Sequence, residues 1–561
     1  MKKLNMLALS ATLAMGTPSA NALTPWTNGA PNLRIYISGA VAQTNAYTQA
    51  VSTVLATSGS LDTFNDVDPV TGSKGSRWTA HYFTGHASLG TGLAGKKILL
   101  VRRTVGGSGY GVIPLMKDIP LEHLNIEGLP ETAWVADGAK AWKQTITAAN
   151  ASTYLIKKLS DGGSIAVDPN IILKPGTRNY PEQQNELMTG LPEPIWPLNL
   201  TQLPTSFTVI PTGGLIYGVA VTQDLYKVLQ AAQKRAGTLP NSVVIGNYGE
   251  TDMPNLNHNI LASLMAGKIG TWDQIKIIDK TDSNTVKSLT DSSILSDASV
   301  SAPYKEATTG NNLTPVALGL RNGGAATSVI AYSVFMNYPG TKNAFAPASK
   351  TPDNAVDEDA SLPIIKEPVI VADTGTLLKD WQNGTNTLSF NNVTDNSTGA
   401  PPTGGYAKRW GIALNSADRN NAVTVNGVNG DPWRYIKIDG YAPTLENVAA
   451  GVYSYWAEGV VLYKTTKTTD PKWALKIKVM KTLADSLGSP AILGTVTTTQ
   501  AWGKTGAFAT TADPRAFAAT IPLAPSNPVA PFTHKNNGAV HTEIVPVADA
   551  TATGGLAVQM K

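Results

Sequence analysis

KKILLVRRTVGGSGYGVIPLMK, residues Lys96–Lys117, reads as a strand that runs into a Gly-Ser loop and then a helix. Ile98–Val101 form a short apolar run of β-branched and leucine side chains, the pattern of a buried strand. Gly106-Gly107-Ser108-Gly109 lets the backbone turn tightly and approach a ligand with no Cβ in the way. Val112–Lys117 resumes an apolar pattern, in which Pro114 is tolerated only in the first turn of a helix. Such a turn aims free N–H groups and the positive end of a helix dipole at whatever sits above Ser108, which suits an anion. By itself the stretch also fits a plain turn.

Outward from this unit, strands and helices alternate. Leu33–Ser38 reads as a strand, and Tyr47, Ala50, Val51, Val54 and Leu55 then fall on one helical face. Phe207–Val221 reads as two strands broken at Thr212-Gly213-Gly214. Gln223–Ala236 follows as a helix with Leu225, Val228, Leu229 and Ala232 buried and Gly237 as its C-cap. Asp470-Pro471 predicts a helix start, with Trp473, Ile477, Met480, Ala484 and Leu487 as its buried stripe before Gly488. The alternation predicts an α/β architecture with largely parallel sheets. Asp62–Arg77, Asp279–Asn312, Phe345–Asp359 and Gly384–Gly405 are long and polar, and read as surface insertions. Pro522–Pro531 and Ala548–Gly555 predict an extended or disordered tail.

The chain has 561 residues, and residues 1–22 read as a secretory signal peptide. Lys2 and Lys3 give the positive start, Leu4–Met15 the apolar middle, and Ala20-Asn21-Ala22 a small-x-small cleavage site. The remainder is expected to be periplasmic or secreted and not membrane-embedded. Cysteine is absent, which removes disulfides, thiolate chemistry and a lipid-modified cysteine anchor. A net charge of +4, or +2 without Lys2 and Lys3, is too balanced to argue for nucleic acid.

Enzymatic signatures are missing. The six histidines show no HExxH or other ligand-pair spacing, so no metal is expected. GGSGYG fails the G-x-S-x-G elbow because Tyr110 holds the last glycine position, and it lacks the Lys-Ser/Thr ending of a P-loop. No catalytic residue and no cofactor is expected. Tyr453–Trp456 could offer a sugar-stacking face, although strand core explains it more simply. Arg102 and Arg103 read as a solvated strand edge, with a reach into a ligand cleft as the alternative.

Three further stretches carry a resemblance. Ile438–Tyr463 (IDGYAPTLENVAAGVYSYWAEGVVLY), Leu261–Trp272 (LASLMAGKIGTW) and Gly319–Tyr332 (GLRNGGAATSVIAY), together with GSGYGV at Gly107–Val112, resemble the phosphate-class substrate-binding proteins of ABC importers. The resemblance implies an α/β, two-lobed type II periplasmic-binding-protein fold with long loop insertions. Lobe I would comprise 23–212 and 413–521, lobe II 213–412, and the tail 522–561. It implies a small anion, phosphate or a related oxyanion, held between the lobes for uptake through an ABC permease. The ligand set carried over is Gly107, Ser108 and Gly109 with Arg321 and Thr327, and more weakly Ser38. Thr327 could instead only cap its helix, and Gln43 is a still weaker candidate.

Departures are specific. The family's Ser-Gly before the threonine is Ala325-Ala326 here, and Ser38-Gly39-Ala40-Val41 places its hydroxyl before the glycine. Asp168 is the candidate for the acid that accepts a proton from hydrogen phosphate. Those losses leave two other readings open: a secreted or cell-surface interaction protein with a degenerate cleft, and a phosphatase-like hydrolase.

Overall fold

A computed structural model describes residues 29–510 except 70–71, 168, 174–176, 178, 180–202, 304–313, 322–323, 340–346, 349–364, 370–373 and 386–407; it also describes strand backbone at 529–530, 532–536 and 539–546. The signal-peptide reading and Asp168 therefore lie outside the described residues, as do nearly all of Phe345–Asp359 and Gly384–Gly405.

β1 (Leu33–Gly39) is followed by α1 (Thr44–Ala50), which widens into a last turn ending at Leu55. β2 (Asp62–Val67) and β3 (Lys74–Thr84) make a hairpin, and β4 (Lys97–Arg103) leads into the tight turn Ser108–Gly111 and the short α2 (Ile113–Lys117). β5 (Gly162–Ile165), the long β6 (Phe207–Thr222) and α3 (Gln223–Ala236) come next. The second half supplies β7 (Ala317–Arg321), α4 (Ala326–Met336) and β8 (Gly411–Ser416). β9 (Trp456–Lys464) and α5 (Trp473–Leu487) return to the first.

Across the main sheet the order is β7-β8-β6-β9-β5-β1-β4-β3-β2. β6 serves both halves: Phe207–Ile216 pairs with β9, and Tyr217–Val221 pairs with β8. β1, β4 and β5 run parallel to one another, and β7 runs parallel to β8. β5 pairs antiparallel with β9, β9 with β6 and β6 with β8, so the two sets run in opposite directions and point their carboxyl ends at one another across the middle of β6.

The core follows the side-chain periodicities. Leu33, Ile35 and Ile37 of β1 pack with Tyr47, Val51 and Leu55, and with Met480, Leu483 and Leu487 of α5. Each such side chain, fully buried, stabilises the fold by ~1.5–3 kcal/mol. α3 buries Leu225, Val228, Leu229 and Ala232, and Gly237 closes it at φ 70. Pro114 lies in the first turn of α2. Tyr453, Tyr455 and Trp456 are buried, so they are core rather than a stacking surface.

Several expectations need correction. The sheet is mixed rather than largely parallel, because β3 and β6 pair antiparallel with their neighbours. Asp62–Arg77 is no insertion: it supplies β2 and part of β3. Its inward positions are Asp62, Phe64 and Asp66, so polar residues face the interior and hide the strand period. Phe207–Thr222 is one strand, with a register shift between Pro211 and Gly214 where two strands are expected.

Candidate functional site

A cavity of about 420 Å³ opens where the two halves meet. Its walls follow the carboxyl ends of β1 (Ala40–Ala42), β4 (Gly107, Ser108), β5 (Ala166), β7 (Arg321, Ala325–Thr327) and β8 (Asn415–Arg419). In open α/β sheets ligands sit outside the carboxyl ends of the strands, where loops converge, and here the ends from both halves face the same space.

Three glycines bring the floor together. A Cβ on Gly163 would lie 1.7 Å from the Gly111 carbonyl oxygen, and one on Gly39 would lie 1.9 Å from that of Ser164. One on Gly111 would approach the Ser164 oxygen to 2.6 Å. Without side chains there, the ends of β1 and β5 and the Ser108–Gly111 turn touch backbone to backbone. Gly107 enters the turn at φ 71, a conformation that a side chain would strain.

Ser108 is buried at the cavity wall, and its Oγ accepts the Ala166 N–H at 3.2 Å, which leaves the hydroxyl proton available to donate. Gly109 sits beside the cavity, where its N–H donates to the Gly324 carbonyl at 3.2 Å and ties the first half to the second. Thr327 lines the cavity one residue into α4. Ala325 is the N-cap and carries no side-chain cap bond, so Thr327 is not a capping residue. The Thr327 carbonyl takes the Tyr455 hydroxyl at 2.8 Å, which fixes this turn against β9's approach. Gly107, Ser108, Arg321 and Thr327 thus share one cavity.

Ser38 does not. It is fully buried and donates to the Tyr110 carbonyl at 2.9 Å, bracing the turn from beneath. Gln43 likewise braces, donating to Thr212 Oγ1 at 2.7 Å. The dipole argument also moves: α2 has only five residues, whereas the 11-residue α4 brings its N-terminus to the wall.

Arg102 and Arg103 are buried, contrary to the solvated-edge reading. Arg102 lies over the Tyr47 ring and donates to Thr44 Oγ1 at 2.8 Å and to the Ala40 carbonyl, so it props the loop that forms one wall. Burial lowers its pKa to about 10, opposed by Tyr47. Arg103 lies over Tyr110, 3.7 Å from Glu122. Arg102 thus sets a positive charge behind one wall, whereas that of Arg103 is countered by Glu122.

Sequence reasoning missed four lining groups: Asp68, Asn415, Asp418 and Arg419. Asp418 faces the cavity but is otherwise enclosed by protein. That enclosure raises its carboxyl above the usual range, partly offset by a hydrogen bond from Ser416 Oγ and the Arg419 charge. Asn415 is 3 % exposed and its Nδ2 has no partner, while its Oδ1 accepts the Ser416 N–H at 3.0 Å. Ser76, on the opposite wall, also keeps an unpartnered buried Oγ. No spacing pattern marks these residues, because they end buried strands in loops of ordinary composition. Among the described residues no group of three or more His, Asp or Glu is placed to hold a metal ion.

No family model and no curated protein matches the chain. Solved structures do align with it. A substrate-binding protein assigned to phosphate ABC transport, with bound phosphate, from Clostridium perfringens covers 82% of this chain and 97% of its own, at 10% identity and TM-score 0.34. An ABC-type phosphate transport receptor from Vibrio cholerae covers 81% and 96%, at 11% identity and TM-score 0.31. PstS from Borrelia burgdorferi covers 84% and 98%, at 8% identity and TM-score 0.30. The first two are named for phosphate transport. At those TM-scores the superpositions carry no detail of the site. Among the described residues no helix is long and apolar enough to cross a membrane.

Proposed function

We propose that this chain is an exported solute-binding protein, not an enzyme, that captures a small oxyanion in the cavity between its halves for ABC-type uptake. The observation that carries the reading is the meeting of Gly107, Ser108, Arg321 and Thr327, drawn from both halves, around one cavity. A dehydrated oxyanion needs convergent donors. Here a hydroxyl from each half, a guanidinium and the N-terminal end of α4 supply them. Closure of the halves would complete the donor shell around the ligand. An open cavity with unpartnered polar atoms also supports capture over a cleft that has lost its role.

Thermal unfolding of the full chain with millimolar phosphate, sulfate, arsenate and molybdate tests this. An anion at 100 times its Kd stabilises by ~2.7 kcal/mol, and Arg321→Ala should abolish that gain. The reading fails if no oxyanion, inorganic or carried on a small phosphate ester, raises the melting temperature.

A further inference from the structure

The cavity is built for more than an inorganic oxyanion. Its volume of about 420 Å³ lies within the ~300–1,000 Å³ typical of clefts that hold small organic molecules. A phosphorus and its four oxygens would fill only one end. Around a bare oxyanion, every wall should donate. Here Ala40, Val41 and Ala42 face the cavity from the first half and Ala325 and Ala326 from the second, with the Tyr217 ring beside them. Those walls favour carbon.

Charge points the same way. Arg321 and Arg419 line the cavity, but Asp68 and Asp418 do too, so its side chains carry no net charge when all four are ionised. A fully deprotonated oxyanion is repelled by Asp418 and, less so, by Asp68, which lies 3.7 Å from Arg77; the single proton of hydrogen phosphate can satisfy one carboxylate only. A ligand with hydroxyl or amino hydrogens can donate to Asp418. The 97 % buried Asn415 amide and the buried Ser76 hydroxyl lie in opposite walls with unpartnered polar atoms, and an unpaired buried donor costs ~1–3 kcal/mol. A polar ligand body would relieve both.

Resting on the capture reading above, we propose that the ligand is a phosphate monoester with a small hydroxyl- or amino-bearing body. Its phosphate sits at Ser108, Arg321 and Thr327. Its carbons lie over Ala325-Ala326 and Tyr217, and its polar hydrogens and oxygens meet Asp418, Asn415 and Ser76. The Ala325-Ala326 departure from the family's Ser-Gly is then a change of specificity: the lost hydroxyl gives way to an apolar wall.

Isothermal titration of the full chain with inorganic phosphate, glycerol 3-phosphate and phosphoethanolamine decides it. At least one ester should bind about 10-fold tighter than phosphate or better, the worth of one or two added hydrogen bonds. Asn415→Ala and Ser76→Ala should each lower the ester-to-phosphate affinity ratio by roughly 5- to 10-fold. If Asn415→Ala misfolds, Ser76→Ala, outside the sheet centre, carries the test. Phosphate binding at least as tightly as both esters overturns this inference and leaves the capture reading standing. An unchanged ratio in both variants also overturns it. Failure of all three ligands, and of sulfate and molybdate, to bind overturns the capture reading and this one with it.

Discussion

Ser108→Ala separates the two roles of the central hydroxyl. In the native protein Oγ accepts the Ala166 N–H at 3.2 Å and faces the cavity with its proton. Alanine leaves the Ala166 N–H without that acceptor in a site where Ser108 is 2 % exposed, which costs ~1–3 kcal/mol of stability. It also deletes one charge-assisted donor to the anion, worth ~1.5–3 kcal/mol, or roughly 10- to 100-fold in Kd. Ser38→Ala is the matched control. That hydroxyl is equally buried and bonded to the Tyr110 carbonyl, yet lies off the cavity. Denaturant melts should show both variants destabilised by comparable amounts. Titration should show the greater loss of affinity for Ser108→Ala, because Ser38 acts only through the turn it braces. Equal losses of affinity in the two variants, or none in Ser108→Ala, would refute the reasoning.

Other consequences concern the scaffold. Asp62 is buried with both carboxylate oxygens unpartnered, and desolvation pushes its pKa up to about 7. The folded state therefore holds a proton that the unfolded chain releases near pH 4, so stability falls by up to ~1.4 kcal/mol per pH unit between about pH 4 and 7. Asp62→Asn should flatten that slope and exceed the native melting temperature at pH 8; a steeper slope would contradict it. Gly163→Ala drives a methyl to 1.7 Å from the Gly111 oxygen, so it should cost ~1–3 kcal/mol or more and weaken anion binding by lifting the turn. Arg102→Met removes the prop under Ala40–Thr44 and should weaken the anion although Arg102 lines no part of the cavity. An unchanged Kd in a folded Arg102→Met protein would show that the prop is dispensable.

Much of the first half was legible because its signals are local. The run Ile98–Val101, the glycines after it and Pro114 define strand, turn and short helix within 22 residues, and the structure builds them in that order. Gly237 and the apolar face before it fixed α3 just as directly. The misread parts are those where burial overrides residue type. β2 turns Asp62 and Asp66 inward, with Arg77 bonded to Asp66 at 2.7 Å, so a core strand carries the composition of a loop. Arg102 and Arg103 end a strand as exposed arginines would, yet backbone carbonyls and aromatic rings receive them inside. Of the cavity wall, Gly107, Ser108, Arg321 and Thr327 were legible from their glycine-bearing loops, whereas Ser38 beside Gly39 lies off it. Asn415, Asp418 and Arg419 were not, because their role comes from β8 ending beside β7, a pairing between residues about 100 apart in sequence.

The most direct measurement is a crystal structure of the full chain grown with saturating phosphate or glycerol 3-phosphate. The account predicts oxyanion density within hydrogen-bond distance of Ser108 Oγ, the Arg321 guanidinium and Thr327 Oγ1, between the two halves. An empty or side-chain-filled cavity, with the anion bound elsewhere or not at all, would contradict it.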